Sequence, residues 1–378
     1  MAEGSDIAIN KKTPFYPWHR DHGAALYEKG GWVRPARYEG ARQEHLRVRA
    51  VGGIIDVHSM GKVVVEGEHA AALLDFAATN DIAGLKVGGA RYTCFCAEDG
   101  GIVDDVIVYR TGEDRYYLIT NTLSRYRVLD FLRDHALGRQ AAVADVTSAT
   151  AYIAVQGPRS RELLAAAGIK VDLGDSALGY FEAVEVDLHG VPVLLARTGY
   201  TGELGYELNF PAEYGLDVWE HLCATGEPMG ISPVGGEAMM TLRLEKGYRS
   251  YGSDIDLGVN PLEAGLGWVV DWNKADFAGR AALAAARERG LDRRMVYLRA
   301  EPEVRLARGD QLLDAAGQPA GEVTSGLYGP SLEAYVGLGY LDAAVPAPGE
   351  VRVGGELGGQ VTVARRPFFD PAGERLRG

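Results

Sequence analysis

The sequence has few cysteines and no long apolar run. Its 378 residues include only Cys94, Cys96 and Cys223, an odd and sparse set that does not form a disulfide framework. No cysteine and histidine group has the spacing of structural zinc ligands, so we expect no metal site. No apolar run approaches the roughly 20 residues of a membrane span. Residues 1–12 also lack the apolar core of a signal peptide, and we therefore expect a cytoplasmic protein without a membrane segment.

Basic residues are fewer than acidic residues. The chain has 52 acidic and 39 basic residues, which gives a formal net charge of −13. This excess would repel phosphate, so we expect no general nucleic-acid binding. It does not exclude an anionic ligand held by a few local arginines. Hydrophobic residues make up 47% of the chain, which indicates a folded protein rather than a disordered one.

Short strands and helices alternate without a long βαβ rhythm, which predicts an α+β fold with antiparallel sheets. We expect paired strands over 53–67, an amphipathic helix over 124–137 and a hairpin over 184–195. The segment 279–290 is typical of a helix that ends a domain. From Arg294 onward, short strands are separated by recurring glycines, and this pattern predicts a small all-β barrel or sandwich. We expect the tail after Pro371 to be frayed.

A pair of adjacent carboxylates follows a glycine turn. In the run Gly100–Val108, Asp104 and Asp105 lie between apolar residues on a predicted strand. Because side chains alternate along a strand, one carboxylate should face inward and the other outward. One interpretation is an aspartate that bonds the amides of the preceding turn. The other is an inward carboxylate that stabilises a developing cation or moves a proton.

A glycine-rich segment over 197–208 offers a second candidate site. Its glycines permit close approach of the backbone to a ligand, and Glu207 follows on a strand, where its carboxylate could accept two hydrogen bonds from a heterocycle. A simple glycine-rich hairpin is the alternative. The Arg243 and Glu245 pair on the next helix is of a kind that is usually structural. The segment 321–332 predicts a strand and loop that cap a neighbouring domain.

Taken together, these motifs resemble the folate-dependent T-protein family of the glycine cleavage system. The resemblance follows the chain in order through GGIVDD, RTGYTGE, LRLEKG, GSDID, NPLEAGLGW and GEVTSG. It implies an α+β ring of three domains around a central hole, with a C-terminal β-barrel. The implied folate-binding domain has a first part formed by 1–50 with 141–275 and a second part formed by 51–140. The barrel domain would cover 291–378.

The resemblance also implies roles for individual residues. Asp105 matches the family's catalytic carboxylate, next to the reactive nitrogens of tetrahydrofolate, and Glu207 matches the carboxylate that holds the pterin ring. The positions that the resemblance assigns to tetrahydrofolate binding are Met60, Tyr92, Asn121, Tyr200, Glu207 and Arg243. The expected function is one-carbon transfer of a methyl, methylene or aminomethyl group between a small substrate and tetrahydrofolate.

Two departures from the family pattern bear on which branch of the family this chain belongs to. The aminomethyltransferases carry an arginine that contacts the folate tail, and Met239 stands at that position here. The family's Ser-His pair before Met60 is reversed to His58-Ser59. The first 35 residues look closer to the sarcosine-oxidising and demethylase branches. We therefore expect a free small-molecule substrate rather than a lipoyl carrier protein.

Three alternatives stay open on the sequence alone. The chain is an aminomethyltransferase that acts on a lipoyl carrier protein, a folate-binding regulatory protein without catalysis, or an enzyme for another one-carbon reaction. Asp105 disfavours the regulatory protein, because a pure binding protein has less need of that carboxylate.

Overall fold

A computed structural model describes residues 10–354 and 358–377. The expectation about a signal peptide falls largely on residues 1–9, which lie outside these ranges. Within the ranges the chain forms the helices α1 Tyr16–Asp21, α2 Ala41–Ala50, α3 Ala70–Ala77, α4 Arg125–Ala136, α5 Ser160–Ala166, α6 Gly215–Gly226, α7 Gly236–Glu245 and α8 Arg280–Arg289. The predicted helices over 124–137 and 279–290 are confirmed. No helix of the described chain is both long and apolar enough to cross a bilayer.

The strands form four sheets. The first has the order β1-β3-β2, with β1 Lys11–Lys12, β2 Ala25–Lys29 and β3 Trp32–Arg37. The second has the order β11-β12-β13-β10-β4-β14, with β4 Gly53–Asp56, β10 Thr150–Gln156, β11 Ala183–Leu188, β12 Val191–Ala196, β13 Gly205–Pro211 and β14 Ser232–Val234. The third has the order β6-β7-β8-β5-β9, with β5 Gly61–Glu66, β6 Ala90–Cys96, β7 Ile102–Gly112, β8 Arg115–Thr120 and β9 Ala142–Asp145.

The fourth sheet closes into a barrel, as the glycine spacing predicted. Its order is β15-β18-β17-β16-β19-β20, with β15 Arg293–Ala300, β16 Gln311–Leu313, β17 Pro319–Gly329, β18 Ala334–Asp342, β19 Gly349–Val353 and β20 Gly359–Ala364. Closure leaves no free sheet edge. The predicted hairpin over 184–195 is also confirmed, because β11 pairs with β12 in antiparallel register.

The prediction that 53–67 forms paired strands is wrong. β4 pairs with β10 and β14 in the six-stranded sheet, whereas β5 pairs with β8 and β9 in the five-stranded sheet. The short link between them resembles a hairpin turn in sequence, but all four residues of β4 are buried. Such a strand has neighbours on both edges, and here they come from distant parts of the chain. The link therefore carries the chain from one sheet to the other.

Apolar side chains of the two large sheets meet in a shared core. This core includes residues from β4, β5, β7, β8 and β10, among them Ile55, Val64, Tyr109, Ile119 and Tyr152. Helix α4 covers the five-stranded sheet because Val128, Leu129 and Leu132 form one buried stripe on an otherwise polar helix. The shared core therefore joins the two sheets. The division of the chain into the domain parts given above stays a proposal.

The C-terminal segment after the barrel returns to the six-stranded sheet and its helices. Arg375 contacts both oxygens of Glu203 at 2.7 and 2.9 Å and donates to the Arg49 carbonyl at 2.7 Å. Lys246 forms a salt bridge with Asp370 at 2.7 Å. Our sequence pattern suggested a frayed tail after Pro371, and this expectation is wrong for the described residues because these side chains tie the segment down.

Candidate active site

The two adjacent aspartates lie on β7, between β6 and β8, after a tight turn. Gly100 has a φ of +87°, a conformation that glycine adopts without strain. The Gly101 amide of this turn donates a hydrogen bond to Asp99 Oδ1 at 3.0 Å. Neither Asp104 nor Asp105 is needed for this task. The interpretation in which one of them bonds the turn amides is therefore wrong.

Asn121 joins the two carboxylates. Its side-chain amide donates to Asp104 Oδ1 at 2.8 Å and to Asp105 Oδ1 at 2.8 Å, and its backbone amide donates to Asp104 Oδ2 at 2.9 Å. We expected one carboxylate to face outward, but Asp104 is 0% exposed. The physical reason is that β7 lies inside its sheet and protein covers both of its faces. Asp105 is the more exposed of the two.

Tyr92 completes the environment of Asp105. Its hydroxyl donates to Asp105 Oδ2 at 2.8 Å, and its ring stacks on Trp268 with the ring centroids 5.7 Å apart. Burial raises the pKa of Asp105, and the bonds from Tyr92 and Asn121 oppose that rise. Burial and the neighbouring Asp105 charge raise the pKa of Asp104 to about 8. Two hydrogen-bond donors thus hold the Asp105 carboxylate. The neighbouring Asp104 carboxyl group favours its own protonated form.

Arg249 is a site residue that our sequence interpretation missed. Its charge lowers the pKa of Asp105, against the effect of burial, and its carbonyl accepts the Tyr200 hydroxyl at 2.5 Å. Arg249 Nη1 also donates to Tyr297 Oη of the barrel at 3.1 Å. It lies two residues beyond the LRLEKG motif, and that position was the available indication. Tyr200 is thus bonded to the Arg249 backbone rather than to Asp105.

Glu207 lies on β13, within the six-stranded sheet. It is 7% exposed and accepts a hydrogen bond from the Thr198 hydroxyl at 2.5 Å. Burial raises the pKa of Glu207, whereas its hydroxyl neighbours, Thr198 first, oppose that rise. Two residues along the same strand, the buried Asn209 Nδ2 has no hydrogen-bond partner among the described residues. An acceptor and a free donor therefore share one face of β13, which suits a ligand with both kinds of group.

The glycines before Glu207 serve protein packing. A Cβ atom at Gly199 would lie 2.0 Å from Gln156 Oε1, and one at Gly205 would lie 2.2 Å from Gln156 Nε2. Gln156 in turn accepts the Thr201 hydroxyl at 2.8 Å. Our expectation was a close approach to a ligand, and the structure shows instead a close approach to the Gln156 side chain.

A cavity of about 300 Å³ opens next to Asn121. Met60 and Asn121 line it, and both belong to the residues that the resemblance assigned to folate. Met239 lines the same cavity. So do Lys29 and Arg34 of the β2–β3 hairpin, which our sequence interpretation did not single out. The cavity therefore combines sulfur-containing and aromatic walls with two cations.

Arg243 has a different environment. Its side chain is 1% exposed and donates to Asp254 Oδ2 at 2.7 Å and to Ser325 Oγ at 2.9 Å. These bonds join α7 to the GSDID segment and to strand β17 of the barrel. The structure does not bring Arg243 into contact with Asp105 or Glu207. Its predicted contact with folate stays a prediction.

Comparison with known proteins identifies the family. Residues 15–274 match the GCVT N-terminal domain, and residues 293–370 match the glycine cleavage T-protein C-terminal barrel domain. The aminomethyltransferase of Streptomyces coelicolor is 41% identical over 366 residues, which cover 95% of this chain and 97% of that protein. The aminomethyltransferase of Halothermothrix orenii is 39% identical over 341 residues, which cover 90% and 94%.

A solved structure gives the same result. The glycine cleavage system aminomethyltransferase T of Bartonella henselae superposes with a TM-score of 0.88, at 32% identity, over 96% of this chain and 98% of that one. The fold is that of a folate-dependent one-carbon transferase. The chain belongs to the glycine cleavage T-protein family. The predictions of the family, of its α+β fold with a C-terminal barrel and of one-carbon transfer are confirmed.

The comparisons also bear on the branch. We expected the first 35 residues and Met239 to separate this chain from the aminomethyltransferases. The match to two of them extends over at least 94% of their lengths. Relatives of about 40% identity over almost their whole length are aminomethyltransferases, so the expectation of another branch loses its support.

Proposed function

We propose that this chain transfers the methylene carbon of an aminomethyl group from a lipoyl carrier protein to tetrahydrofolate. The sulfur–carbon bond of the aminomethyl-lipoyl thioether and the carbon–nitrogen bond to its amine break. Two bonds form from the carbon to N5 and N10 of tetrahydrofolate, and the protons displaced from these nitrogens pass to the sulfur and the amine, which leave as the free thiol and ammonia. Family membership and the arrangement around Asp105 support this function. The three cysteines are free thiols, which suits a reducing cytoplasm.

The side chains suit tetrahydrofolate as the acceptor. The pterin ring presents N–H donors, and Glu207 is a nearly buried carboxylate with capacity for further hydrogen bonds. The unpartnered Asn209 Nδ2 on the same strand face supplies a donor for the pterin carbonyl. Met60 and Asn121 line the cavity of about 300 Å³. We propose that Tyr92 and Tyr200 complete the walls of this site, next to Asp105.

Asp105 has the electrostatic role in this proposal. A carbon that leaves sulfur while attached to nitrogen develops positive charge, and a fixed carboxylate stabilises that charge more strongly than water does. Tyr92 and Asn121 hold the two oxygens of Asp105 in place at 2.8 Å each. No reorientation of Asp105 is therefore needed as the charge develops. The more buried Asp104 acts through Asn121 and does not touch the substrate.

The other candidate functions have less support. A regulatory folate-binding protein has no need of a carboxylate fixed by two donors next to the cavity. A free small-molecule substrate was suggested mainly by Met239. Since Met239 lines the cavity, its replacement of arginine concerns how folate is held rather than which molecule donates the carbon.

The test is tetrahydrofolate-dependent ammonia release from an aminomethyl-lipoyl carrier protein. The wild-type chain should release ammonia and form methylenetetrahydrofolate in equal amounts. Asp105→Asn is nearly isosteric, so it should fold and bind tetrahydrofolate while the turnover falls by about 10²–10³. Absence of ammonia release from the wild-type chain, together with carbon transfer from a free small amine, would contradict the proposed function.

A further inference from the structure

The cavity beside Asn121 has an excess of positive charge in a chain that is otherwise strongly acidic. Lys29 and Arg34 line it, and Glu237 is the carboxylate among its lining residues. Arg37 pairs with Glu237 at 2.8 Å and offsets that charge. Lys29 and Arg34 therefore give the cavity an excess of positive charge, although the net charge of the whole chain is −13. This local reversal of charge indicates an anionic ligand.

The hairpin geometry places the two cations together. Tyr27 and Lys29 are two residues apart on β2, and Arg34 of β3 is paired with Tyr27 across the hairpin. The three side chains therefore project from one face of the hairpin. The Arg34 guanidinium also lies over the Tyr27 ring, 5.2 Å from its centroid. This stacking fixes the direction of the arginine.

Arg34 keeps free hydrogen-bonding capacity. Its Nη1 donates to Ser59 Oγ at 2.8 Å, while its buried Nε has no partner among the described residues. Ser59 belongs to the reversed His58-Ser59 pair, so the reversal puts a hydroxyl where it orients Arg34. Within the described chain, the Lys29 ammonium takes part in no ion pair. Burial and the charges of Arg34, Arg243 and Arg308 lower the pKa of Lys29. A bound anion would reduce the repulsion between these positive charges.

We propose that Lys29 and Arg34 bind the glutamate-tail carboxylates of tetrahydrofolate. This inference rests on the proposed function and names the residues that replace the arginine absent at Met239. Met239 lies in the wall of the same cavity as the two cations. The positive charge is thereby moved from α7 to the β2–β3 hairpin. Each added glutamate brings a further carboxylate, so the site should favour folates with longer tails.

Binding measurements with tetrahydrofolate monoglutamate and triglutamate test this inference. For the wild-type chain, the triglutamate should bind more tightly than the monoglutamate. Lys29→Gln and Arg34→Gln should each weaken triglutamate binding about tenfold, because each removes a charge-assisted hydrogen bond. The monoglutamate should lose less, so the preference for the longer tail shrinks. Higher salt should shrink the wild-type preference as well.

Two further variants sharpen the test. Lys12→Gln makes the same change in the same three-stranded sheet, but outside the cavity lining, and should leave both affinities unchanged. Met239→Arg in the Lys29→Gln background returns a cation to the cavity and should restore the preference for the triglutamate. Circular dichroism and the melting temperature establish that each variant is folded.

The outcomes separate this inference from the proposed function. Unchanged affinity for both folates in folded Lys29→Gln and Arg34→Gln chains would overturn the inference and leave the proposed function standing. The same holds if these variants bind both folates normally but raise the KM for the carrier protein, because the cations would then dock an acidic protein surface. A wild-type chain that binds neither folate would instead contradict the proposed function.

Discussion

At the scale of single residues, the carboxyl pair on β7 is the most unusual feature. Asp104 and Asp105 share the Asn121 amide, and Asp104 is fully buried whereas Asp105 is partly exposed. The sequence predicted the pair and the importance of Asp105. It did not predict that Asp104 is buried as well, because strand alternation alone does not say whether both faces of a strand are covered. The only indication of Arg249 was its position two residues beyond the LRLEKG motif, and the effect of its charge on Asp105 was not predicted.

The raised pKa of Asp104 has a consequence for stability. Below about pH 4 the carboxyl group is protonated in both the folded and the unfolded chain. Between about pH 4 and pH 8 the unfolded chain has lost this proton, whereas the folded chain retains it because burial raises the pKa of Asp104 to about 8. The folded state then binds more protons, so the free energy of unfolding falls as the pH rises through this window.

We therefore predict that Asp104→Asn reduces the pH dependence of stability. Urea unfolding at several pH values between 5 and 8 measures it. The wild-type chain should lose stability over this window, and the variant should lose less, because the neutral amide does not titrate. Some loss should persist, since burial raises the pKa of Asp105 too. An identical slope in the two chains would show that Asp104 is ionised in the folded state.

At the scale of elements, distant pairing limited what the sequence could predict. Helix α4, the β11–β12 hairpin and the barrel strands were predictable because each follows a local period or turn pattern. The link between β4 and β5 was not, because four residues between two apolar runs fit a hairpin as well as a crossing between sheets. The partners of β4, namely β10 and β14, are set by long-range packing.

Arg243 on α7 gives a prediction at this scale. Its salt bridge to Asp254 is buried, with side-chain exposures of 1% and 0%, and it links α7 to the barrel. Arg243→Met should leave Asp254 as a buried and uncompensated charge, and the expected loss is about 3–5 kcal/mol of stability. The urea unfolding midpoint measures this loss. Arg243 and Glu245 do not pair with each other, because Arg243 pairs with Asp254 and Glu245 pairs with Arg49.

An exposed ion pair provides the control for the Arg243→Met experiment. Arg20→Met removes an exposed pair with Asp21, and its unfolding midpoint should stay at the wild-type value. If Arg243→Met also keeps the wild-type midpoint but loses affinity for tetrahydrofolate, Arg243 acts on the ligand, as the resemblance implied, rather than on the junction.

At the scale of the whole molecule, the ring depends on contacts between segments far apart in sequence. Arg49 illustrates this: it bonds Glu203 at 2.9 Å and Glu245 at 3.0 Å, and its guanidinium lies 3.8 Å from the centroid of the Phe369 ring. The C-terminal segment thereby closes on the six-stranded sheet. The sequence suggested a loose tail after Pro371 because chain termini are poorly ordered unless other contacts hold them. Their salt-bridge partners are distant in sequence and could not be inferred from the tail itself.

The central claim is that this ring binds tetrahydrofolate between its sheets, and thermal unfolding with the ligand tests it most directly. A ligand at about 100 times its dissociation constant should add about 2.7 kcal/mol to the stability of the folded chain. We therefore predict that tetrahydrofolate raises the melting temperature, and that Glu207→Gln needs a higher ligand concentration for the same rise, because a neutral amide loses the charge-assisted bonds to the pterin. An unchanged melting temperature of the wild-type chain at millimolar tetrahydrofolate would contradict the claim.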